Sequence, residues 1–261
     1  MIEILVTIIG LVIGSFLNVC IYRIPRKESI VFPSSHCPAC GRQLTFFDLI
    51  PIVSYIFLLG RCRSCQAKIS ARYPLVELLT GIVFLFLYLK YGYSITFMFI
   101  TIMMAVMIVV FFIDLDHLII PDKLVIFASI IAGLMVVYNF FTPLAVYGDS
   151  SWWNPLLGAL IGSGSLLLVA LLGSVLFKTD EAMGGGDIKL MFPVGLVLGW
   201  RLTLLTLFLA IMIAGLYGLI LLALKKTSRK SSIPFGPFIV LAFLIASIWG
   251  YQIIYWYLGV Y

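Results

Sequence analysis

Residues 93–113 read YSITFMFITIMMAVMIVVFFI and contain no Asp, Glu, Lys or Arg. Such a run is close to the ~20 apolar residues that an α-helix needs to cross the hydrocarbon of a bilayer. The rest of the chain is similar, since 63% of its 261 residues are hydrophobic and 11% are charged. In soluble domains about a quarter of the residues are charged. The sequence therefore predicts an all-α, polytopic membrane protein.

Apolar segments recur along the chain and predict about eight transmembrane helices. They occupy residues 2–22, 74–89, 93–113, 124–141, 155–177, 188–199, 201–224 and 233–259. The segment 188–199 is short, because at ~1.5 Å per residue it reaches only about 18 Å. We expect it to be re-entrant or to have its ends buried in protein. The first segment carries Glu3 and lacks the features of a cleaved signal peptide, so we expect it to remain as an anchor.

The positions of Lys and Arg predict the orientation, because these residues accumulate in short cytoplasmic loops. If Met1 lies outside and all eight segments cross, 15 of the 17 basic residues fall in inside loops. Lys90 and Arg201 then lie outside. The net charge of +6 accordingly indicates membrane orientation and contact with anionic lipid rather than a nucleic-acid partner.

A polar and basic insert, residues 23–73, separates the first two helices and carries two Cys-x-x-Cys pairs. The pairs are Cys37 with Cys40 and Cys62 with Cys65, and 21 residues lie between them. This spacing is typical of a structural zinc site, in which four thiolates leave no open coordination position. Two disulfides are the alternative, but the predicted loop faces the reducing cytoplasm. Arg61 and Arg63 are expected to favour the thiolates, and Cys20 is expected to be a core residue.

Two aspartates are candidates for chemistry. Asp114 directly follows the apolar run 93–113, and Asp187 closes the sequence Gly184-Gly-Gly-Asp187. An ionised carboxylate is costly near hydrocarbon, so such a residue is a functional candidate. The glycines permit positive φ and the close approach of another backbone. Two neighbouring carboxyl groups can share one proton and hydrolyse a peptide bond. The alternative is a pair of loop or capping carboxylates that face the cytosol.

Three polar residues lie close to Asp114 in the sequence. Asp116 falls on a different helical face, where we expect it to bind water or a basic group of a substrate. Asp122 follows Pro121 and is expected to cap the next helix. His117 is expected to be a solvated interfacial residue, because His36 is the only other histidine.

The order and spacing of several motifs resemble the bacterial type IV prepilin peptidases over nearly the whole chain. The motifs are Gly14-Ser-Phe-Leu-Asn-Val19, Tyr22-Arg23-Ile-Pro25, Pro33-x-Ser35-x-Cys37-Pro-x-Cys40, Ile50-Pro51, the second cysteine pair, Ile69-Ser-x-Arg-Tyr-Pro74 with Glu77, Ile113-Asp-Leu-Asp116, Ile120-Pro-Asp122 and Gly184-Gly-Gly-Asp187-Ile-Lys189. One stretch departs from the family pattern: Asp48-Leu-Ile-Pro51 stands where the family has Asp-Asn-Ile-Pro.

This resemblance implies a multi-pass aspartyl endopeptidase of peptidase family A24, with a GxGD motif, in the bacterial inner membrane. Such an enzyme removes the basic leader of a type IV prepilin or pseudopilin after Gly at the cytoplasmic edge. It then methylates the new N-terminal residue, often Phe, with S-adenosylmethionine. The resemblance assigns catalysis to Asp114 and Asp187. It divides the chain into helix 1–22, a methyltransferase-associated zinc loop 23–73 and a protease domain 74–261.

The resemblance also implies further site residues. The candidates for S-adenosylmethionine are Gly14, Asn18, Arg72 and Glu77. Their alternatives are helix packing for Gly14, interhelical hydrogen bonding for Asn18 and membrane anchoring for Arg72. The cofactor is inferred from resemblance alone, because the chain has no Gly-x-Gly-x-x-Gly motif. Expected substrate-binding or supporting residues are Asp116, Asp122, Gly184, Gly185, Gly186 and Lys189, and Asp116, Asp180 and Glu181 could attract a basic leader.

Two hypotheses from other classes remain open at this point. In the first, Asp114, Asp116 and Asp187 form the proton or cation relay of a transporter. In the second, the chain is a non-catalytic, zinc-bearing scaffold of a secretion system. The sequence identifies neither the particular pilin substrate nor the oligomeric state.

Overall fold

The computed structural model describes residues 1–149, 151–177, 184–224 and 233–259. The α-helices in these ranges are α1 (Ile2–Arg23), α2 (Val53–Phe57), α3 (Arg72–Tyr91), α4 (Ile95–His117), α5 (Asp122–Phe141), α6 (Asn154–Phe177), α7 (Gly185–Ala223) and α8 (Gly236–Leu258). All of them except α2 are long and apolar enough to cross a membrane. Short 3₁₀ helices lie at Phe46–Asp48 and Ala145–Tyr147. The described residues contain no strand longer than an isolated bridge, which confirms the predicted all-α class.

The packing of the chain defines two compact units, Met1–Phe97 and Met98–Tyr261. The first unit contains α1, α2, α3 and the polar insert. The second contains most of α4 and all later helices. From sequence we grouped residues 74–91 with the protease domain, whereas α3 packs against α1 in the first unit. The functional division of the chain stays a prediction.

Small residues bring α1 and α3 into close antiparallel contact in the first unit. A Cβ atom on Gly10 would lie 2.8 Å from the Cα of Gly81. One turn further along, a Cβ atom on Gly14 would lie 2.7 Å from the Cα of Glu77. Asn18 continues this line of contacts, since its amide donates to the Tyr73 carbonyl at 3.0 Å. Glycines at such an interface let the two backbones approach each other without side chains between them.

In the second unit, α7 consists of two arms that reverse direction at Gly199. The backbone there is non-helical, with φ 70° and ψ 173°. A Cβ atom on Gly162 of α6 would lie 2.9 Å from the Met191 carbonyl oxygen and 3.2 Å from the Thr203 Cγ2. In a straight helix, residues 191 and 203 would be about 18 Å apart. The arms therefore run antiparallel along α6, and they correspond to the separate apolar segments 188–199 and 201–224, of which the sequence left open whether the first crosses the membrane or is re-entrant.

Hydrogen bonds from neighbouring residues fix the backbone at this reversal. Asn154 accepts the Trp200 N–H at 3.1 Å and donates to the Tyr147 carbonyl at 3.0 Å. Asp149 joins them by accepting from the Asn154 amide at 2.9 Å and pairing with Arg201 at 3.1 Å. Because the position of Gly199 is held in this way, the length of the first arm determines where Asp187 lies.

The helix α4 carries Asp114 into the interior of the second unit. Its fully buried residues Ile100, Met103, Met107, Val110 and Ile113 recur at three or four residues along the sequence. Such spacing places them on one continuous helical face that packs against other helices. Asp114 directly follows the last of them and is itself buried.

Candidate active site and metal centre

Asp114 lies in the last turn of α4 and is buried, with 5% of its surface exposed. The turn closes when the N–H of Leu118 donates to the Asp114 carbonyl at 2.9 Å. Leu118 adopts a positive φ of 56°, which ends the helix. Asp116 and His117 are exposed on the same turn. The predicted difference between the faces of Asp114 and Asp116 is therefore present.

Asp187 lies in the first turn of α7 and is also buried, with 8% of its surface exposed. Its N–H donates to the Gly184 carbonyl at 3.1 Å. A Cβ atom on Gly184 would lie 2.8 Å from the Asp187 Oδ2, so glycine leaves room for the carboxyl group. Within the described part of the chain, no group hydrogen-bonds to the buried Oδ1 of Asp187. A buried polar atom without a partner is uncommon and points to a functional role.

The expected use of positive φ in the glycine run is wrong for the described glycines. Gly184 has φ −62°, and Gly185 and Gly186 begin α7. The close approach of another backbone, as of a peptide substrate, stays a prediction, but Gly186 does lie close to a side chain of this chain. A Cβ atom there would lie 3.0 Å from the Cβ of Ile120, so a larger residue would push the two segments apart.

Three helix ends meet around Asp114, and Ile120 lies between two of them. The N–H of Gly236, the first residue of α8, donates to the Asp114 Oδ2 at 3.1 Å. A Cβ atom on Gly236 would lie 2.6 Å from that same oxygen and 3.4 Å from the Ile120 Cδ1. Ile120 also contacts Gly186, as described above. Gly186, next to Asp187, and Gly236, which binds Asp114, therefore lie against the same side chain. The structure thus brings the two carboxyl groups together.

Sequence reasoning missed Gly236. The available signal is Pro234-Phe-Gly-Pro237, which directly precedes the last apolar run. Proline in the first turn of a helix is a start signal, and glycine before it allows close approach. These rules predict where α8 begins. They do not predict that its first N–H meets a carboxylate that lies 122 residues earlier.

Two of the expected supporting residues, Asp122 and Lys189, form an ion pair. Lys189 donates to the Asp122 Oδ1 at 2.8 Å, and both side chains are exposed. Asp122 is the first residue of α5 and Pro121 occupies the N-cap position, so the predicted N-cap role of Asp122 is wrong. The position still favours a negative charge, because the N-terminal end of a helix is electropositive. Asp180 and Glu181 lie outside the described residues.

The four cysteines of the insert lie together in the first unit. Their sulfur atoms are all within 4.8 Å of one another, an arrangement that could hold a metal ion. Both pairs have the same local backbone. The N–H of Cys37 donates to the Arg42 carbonyl, and the N–H of Cys62 donates to the Ala67 carbonyl, each at 2.9 Å. We call these two turns the first and second knuckle.

Backbone groups favour a thiolate in the second knuckle. In the absence of metal, the N–H groups of Cys65 and Ser64 lower the pKa of Cys62 to about 6. The Ala67 N–H lowers the pKa of Cys65, but burial and hydrogen bonds with the other thiols raise it to about 11. We expected Arg61 and Arg63 to supply this effect, but neither is among the groups that lower the pKa of Cys62. Arg63 instead pairs with Asp48 at 2.7 Å.

Asp48, in the stretch that departs from the family pattern, connects the 3₁₀ helix to the second knuckle. Its side chain is 5% exposed and accepts from the Thr45 N–H at 3.1 Å, the Thr45 hydroxyl at 2.9 Å and the Arg63 Nε at 2.7 Å. Burial acts to raise the pKa of Asp48, but these hydrogen bonds and the Arg63 charge lower it to about 2. Leu49, which occupies the position of the missing Asn, is exposed.

The four residues proposed for S-adenosylmethionine lie near one end of α1 and α3. Gly14 faces Glu77, and Asn18 donates to the carbonyls of Gly14 and Tyr73. Glu77 accepts the Ile52 N–H at 2.8 Å. These contacts hold the two helices and the insert together. They agree with the alternative interpretation, helix packing and interhelical hydrogen bonding, for Gly14 and Asn18.

Comparisons with known proteins agree on one family. Residues 8–91 match the family described as Bacterial Peptidase A24 N-terminal domain, and residues 101–219 match the Type IV leader peptidase family. Among its relatives are proteins named prepilin leader peptidase/N-methyltransferase. The one from Aeromonas salmonicida is 33% identical over 98% of this chain and 93% of the relative. The one from Bacillus subtilis is 33% identical over 96% of both chains, and the one from Pseudomonas aeruginosa is 34% identical over 96% and 91%. No solved structure matches the chain.

Proposed function

Because the chain belongs to the type IV leader peptidase family, we propose that it cleaves the leader of a prepilin or pseudopilin and then methylates the new N-terminus. The single observation that carries the proteolytic part is the buried pair of carboxyl groups, Asp114 and Asp187. Membership of a peptidase family argues against the transporter and scaffold hypotheses. A membrane-spanning protein with this pair suits a substrate whose scissile bond directly precedes an apolar helix.

We assign the hydrolytic step to the shared proton of this pair. The ionised carboxylate takes a proton from a water molecule, whose oxygen attacks the scissile carbonyl carbon. The protonated carboxyl group donates its proton to the carbonyl oxygen, which gives a neutral tetrahedral diol. The diol then collapses as the peptide C–N bond breaks and the leaving nitrogen takes a proton. The Asp187 oxygen that lacks a described partner supports a role for this residue in binding the water or the diol.

The Gly236 N–H supports the geometry of this step. It holds one oxygen of Asp114, which leaves the other oxygen available to the substrate and to Asp187. A hydrogen bond from a backbone group on a packed helix fixes a side chain more firmly than a bond from a flexible side chain, which supports preorganisation.

For the metal, we propose Zn²⁺ held by Cys37, Cys40, Cys62 and Cys65. Zn–S bonds of about 2.3 Å in a tetrahedron place the sulfurs about 3.8 Å apart. The Cys37 and Cys65 sulfurs are 3.8 Å apart, which fits. Four thiolates occupy every position of the ion, so the metal would stabilise the insert and would take no direct part in the chemistry.

For the second activity, S-adenosylmethionine would supply the methyl group, and the new α-amino nitrogen would lose a proton on methylation. The named polar groups of Asn18 and Glu77 already serve contacts within the first unit. Gly14 has no free space for a ligand. These groups are therefore already engaged within the first unit, and we derive no step through the cofactor. Their assignment, with that of Arg72, stays a prediction.

We also propose that the insert and the aspartate pair face the cytoplasm of the bacterial inner membrane. The distribution of Lys and Arg supports this orientation. The antiparallel arms of α7 support it too, because a reversal at Gly199 returns the chain to the side from which Gly185 started. A multi-pass protein in this orientation would meet a basic leader on the cytoplasmic side.

The test is cleavage of a purified prepilin in lipid, read by the masses of the products. Asp114→Asn and Asp187→Asn should each lower the cleavage rate by at least about 10²–10⁴-fold, because each removes one half of the acid–base pair. Glu3→Gln is the control, because Glu3 is an exposed carboxylate in the first turn of α1 to which we give no role in the reaction, and it should keep kcat within a few-fold. Wild-type product should end after the leader Gly and gain one methyl when S-adenosylmethionine is present. Wild-type rates in either pair variant, with metal content unchanged, would show that the catalytic assignment is wrong.

A further inference from the structure

The insert exposes a group of large apolar side chains. In a loop surrounded by water, we would expect such side chains to be buried. We call this group the apolar patch; its members are Phe46, Phe47, Ile56, Phe57 and Leu59. Their exposed fractions lie between 63% and 84%. Single exposed apolar residues are normal on protein surfaces, whereas a contiguous group of this size marks an interaction surface.

The members of the apolar patch are held side by side. The rings of Phe46 and Phe47 pack edge to face, with their centroids 6.0 Å apart. The 3₁₀ helix that carries them contacts α2, which carries Ile56 and Phe57. Leu59 follows directly after α2. The patch is therefore one surface built from two short helices.

The backbone at Leu59 is strained in a way that presents the side chain outward. Leu59 has φ 51°, a conformation that disfavours every residue except glycine and a few polar ones. The Leu59 side chain is also 84% exposed. A leucine at this position is therefore unfavourable both because its backbone is strained and because its apolar side chain contacts water. Strain of this kind persists where the side chain has a use outside the fold.

The charge of the insert indicates the partner. Residues 23–73 contain eight basic and two acidic residues, whereas the rest of the chain carries equal numbers of both. The whole net charge of +6 is thus concentrated in the segment that carries the apolar patch. Arg42 and Arg63 lie beside the patch, because both approach Asp48 at the end of the 3₁₀ helix. Apolar and basic side chains together match an anionic lipid surface, which offers both hydrocarbon and negative headgroups.

The covalent attachment of the insert places it at that surface. It begins where α1 ends at Arg23 and ends where α3 begins at Arg72, and both helices are candidate membrane spans. We propose that the apolar patch docks into the adjacent leaflet, with the basic side chains of the insert on anionic phospholipid headgroups. The metal-binding knuckles would then stand on the membrane surface.

The experiment uses the full-length protein in vesicles, with the photoreactive residue p-benzoylphenylalanine in place of Phe57. Ala39, an exposed residue in the first knuckle outside the patch, is replaced in the same way as the control. Irradiation is followed by mass analysis of the adducts, in vesicles of phosphatidylcholine with and without phosphatidylglycerol. We expect phospholipid adducts at position 57, with a yield that rises at least about fivefold with the anionic lipid. Position 39 should give few or none.

Each alternative outcome overturns the proposal. Adducts of position 57 with protein, whether this chain or added prepilin, would show that the patch is a protein-binding surface. Absence of adducts at position 57, with metal still bound, would show that the patch faces water. Equal yields in the two vesicle types would reject the role of anionic headgroups. The same crosslinking measurement with p-benzoylphenylalanine in place of Phe46 shows whether a result at position 57 is caused by that one substitution.

Discussion

The metal centre of the first unit and the carboxyl pair of the second are held by different kinds of structure. Each knuckle holds two cysteines that are three positions apart, and hydrogen bonds between residues at most five positions apart shape the turn. The carboxyl pair joins the end of α4 to the start of α7, and the start of α8 supplies an N–H from 122 residues away. The metal centre is thus largely local, whereas the pair depends on how whole helices pack.

This difference predicts which changes each site tolerates. Each knuckle tolerates changes outside its own few residues. The two knuckles share no large apolar core, however, so they depend on the metal to stay together. A site between helix ends needs no metal, but it is sensitive to a single added carbon atom where backbones meet. The following experiments test these two kinds of sensitivity.

Removal of the metal should have the largest effect. Structural zinc contributes on the order of 10 kcal/mol to small metal-binding folds, so chelation should unfold the insert. Methylation should then be lost, and cleavage should fall by less, because the carboxyl pair contains no residue of the insert. Both activities can be read by mass on one sample before chelation, after it and after zinc is restored.

Cysteine variants provide the control for this experiment. Cys62→Ala should reproduce the effect of chelation, whereas Cys20→Ala should retain the metal and both activities, because Cys20 is buried in α1 away from the cluster. Methylation that persists in a protein shown to be metal-free would contradict the proposed role of the metal.

Substitution of Gly236 by Ala should have the next largest effect. The new Cβ would lie 2.6 Å from the Asp114 Oδ2, so the carboxyl group or the start of α8 must move. A displacement of about 1 Å at a catalytic group costs up to about 10²-fold in rate, so we expect kcat to fall about 10–10²-fold with little change in KM. The measurement is steady-state cleavage of a prepilin in lipid.

Gly133→Ala is the matched control, because a Cβ atom on this α5 glycine would meet nothing within 4 Å. It should keep the wild-type kcat. If Gly236→Ala also keeps it, the contact between α8 and Asp114 does not set the geometry of the site.

The two sites also differ in how far sequence could predict them. The cysteine spacing predicted the cluster, because ligands three positions apart in a turn must lie close together. The apolar runs predicted the helices and the separate arms of α7. Gly236 could not be found in the same way, since its partner depends on tertiary packing. The ion pair of Asp122 with Lys189 was missed for the same reason, and a capping role was assigned instead.

Asp48→Asn should have a moderate effect on the insert. It removes a charged acceptor of three hydrogen bonds, so we expect a loss of about 1–2 kcal/mol in the stability of the insert. The pKa of Asp48 is lowered to about 2 in the folded protein, against about 3.9 unfolded. The stabilisation is therefore fully present above about pH 4 and is lost as the pH falls towards 2.

Resistance of the bound metal to a chelator measures this contribution. The difference between wild type and Asp48→Asn should stay constant between about pH 6 and pH 8, because Asp48 is ionised throughout that range. A difference that changes across this range would mean that another titrating group carries the effect.

The smallest effect should come from exchanging one residue between the knuckles. Gly41 and Gln66 occupy the same position, four residues after the first cysteine of each pair, and both have positive φ, 70° and 59°. A Cβ atom on Gly41 would meet nothing within 4 Å, so only backbone strain opposes Gly41→Gln. We expect it to cost about 0.5–1 kcal/mol, or about a two- to fivefold weaker affinity for zinc in a chelator competition. The reverse change, Gln66→Gly, should alter the affinity less, because relief of strain is offset by the greater freedom of glycine in the unfolded chain. An unchanged affinity in Gly41→Gln would show that the metal, and not the local backbone, sets the shape of the knuckle.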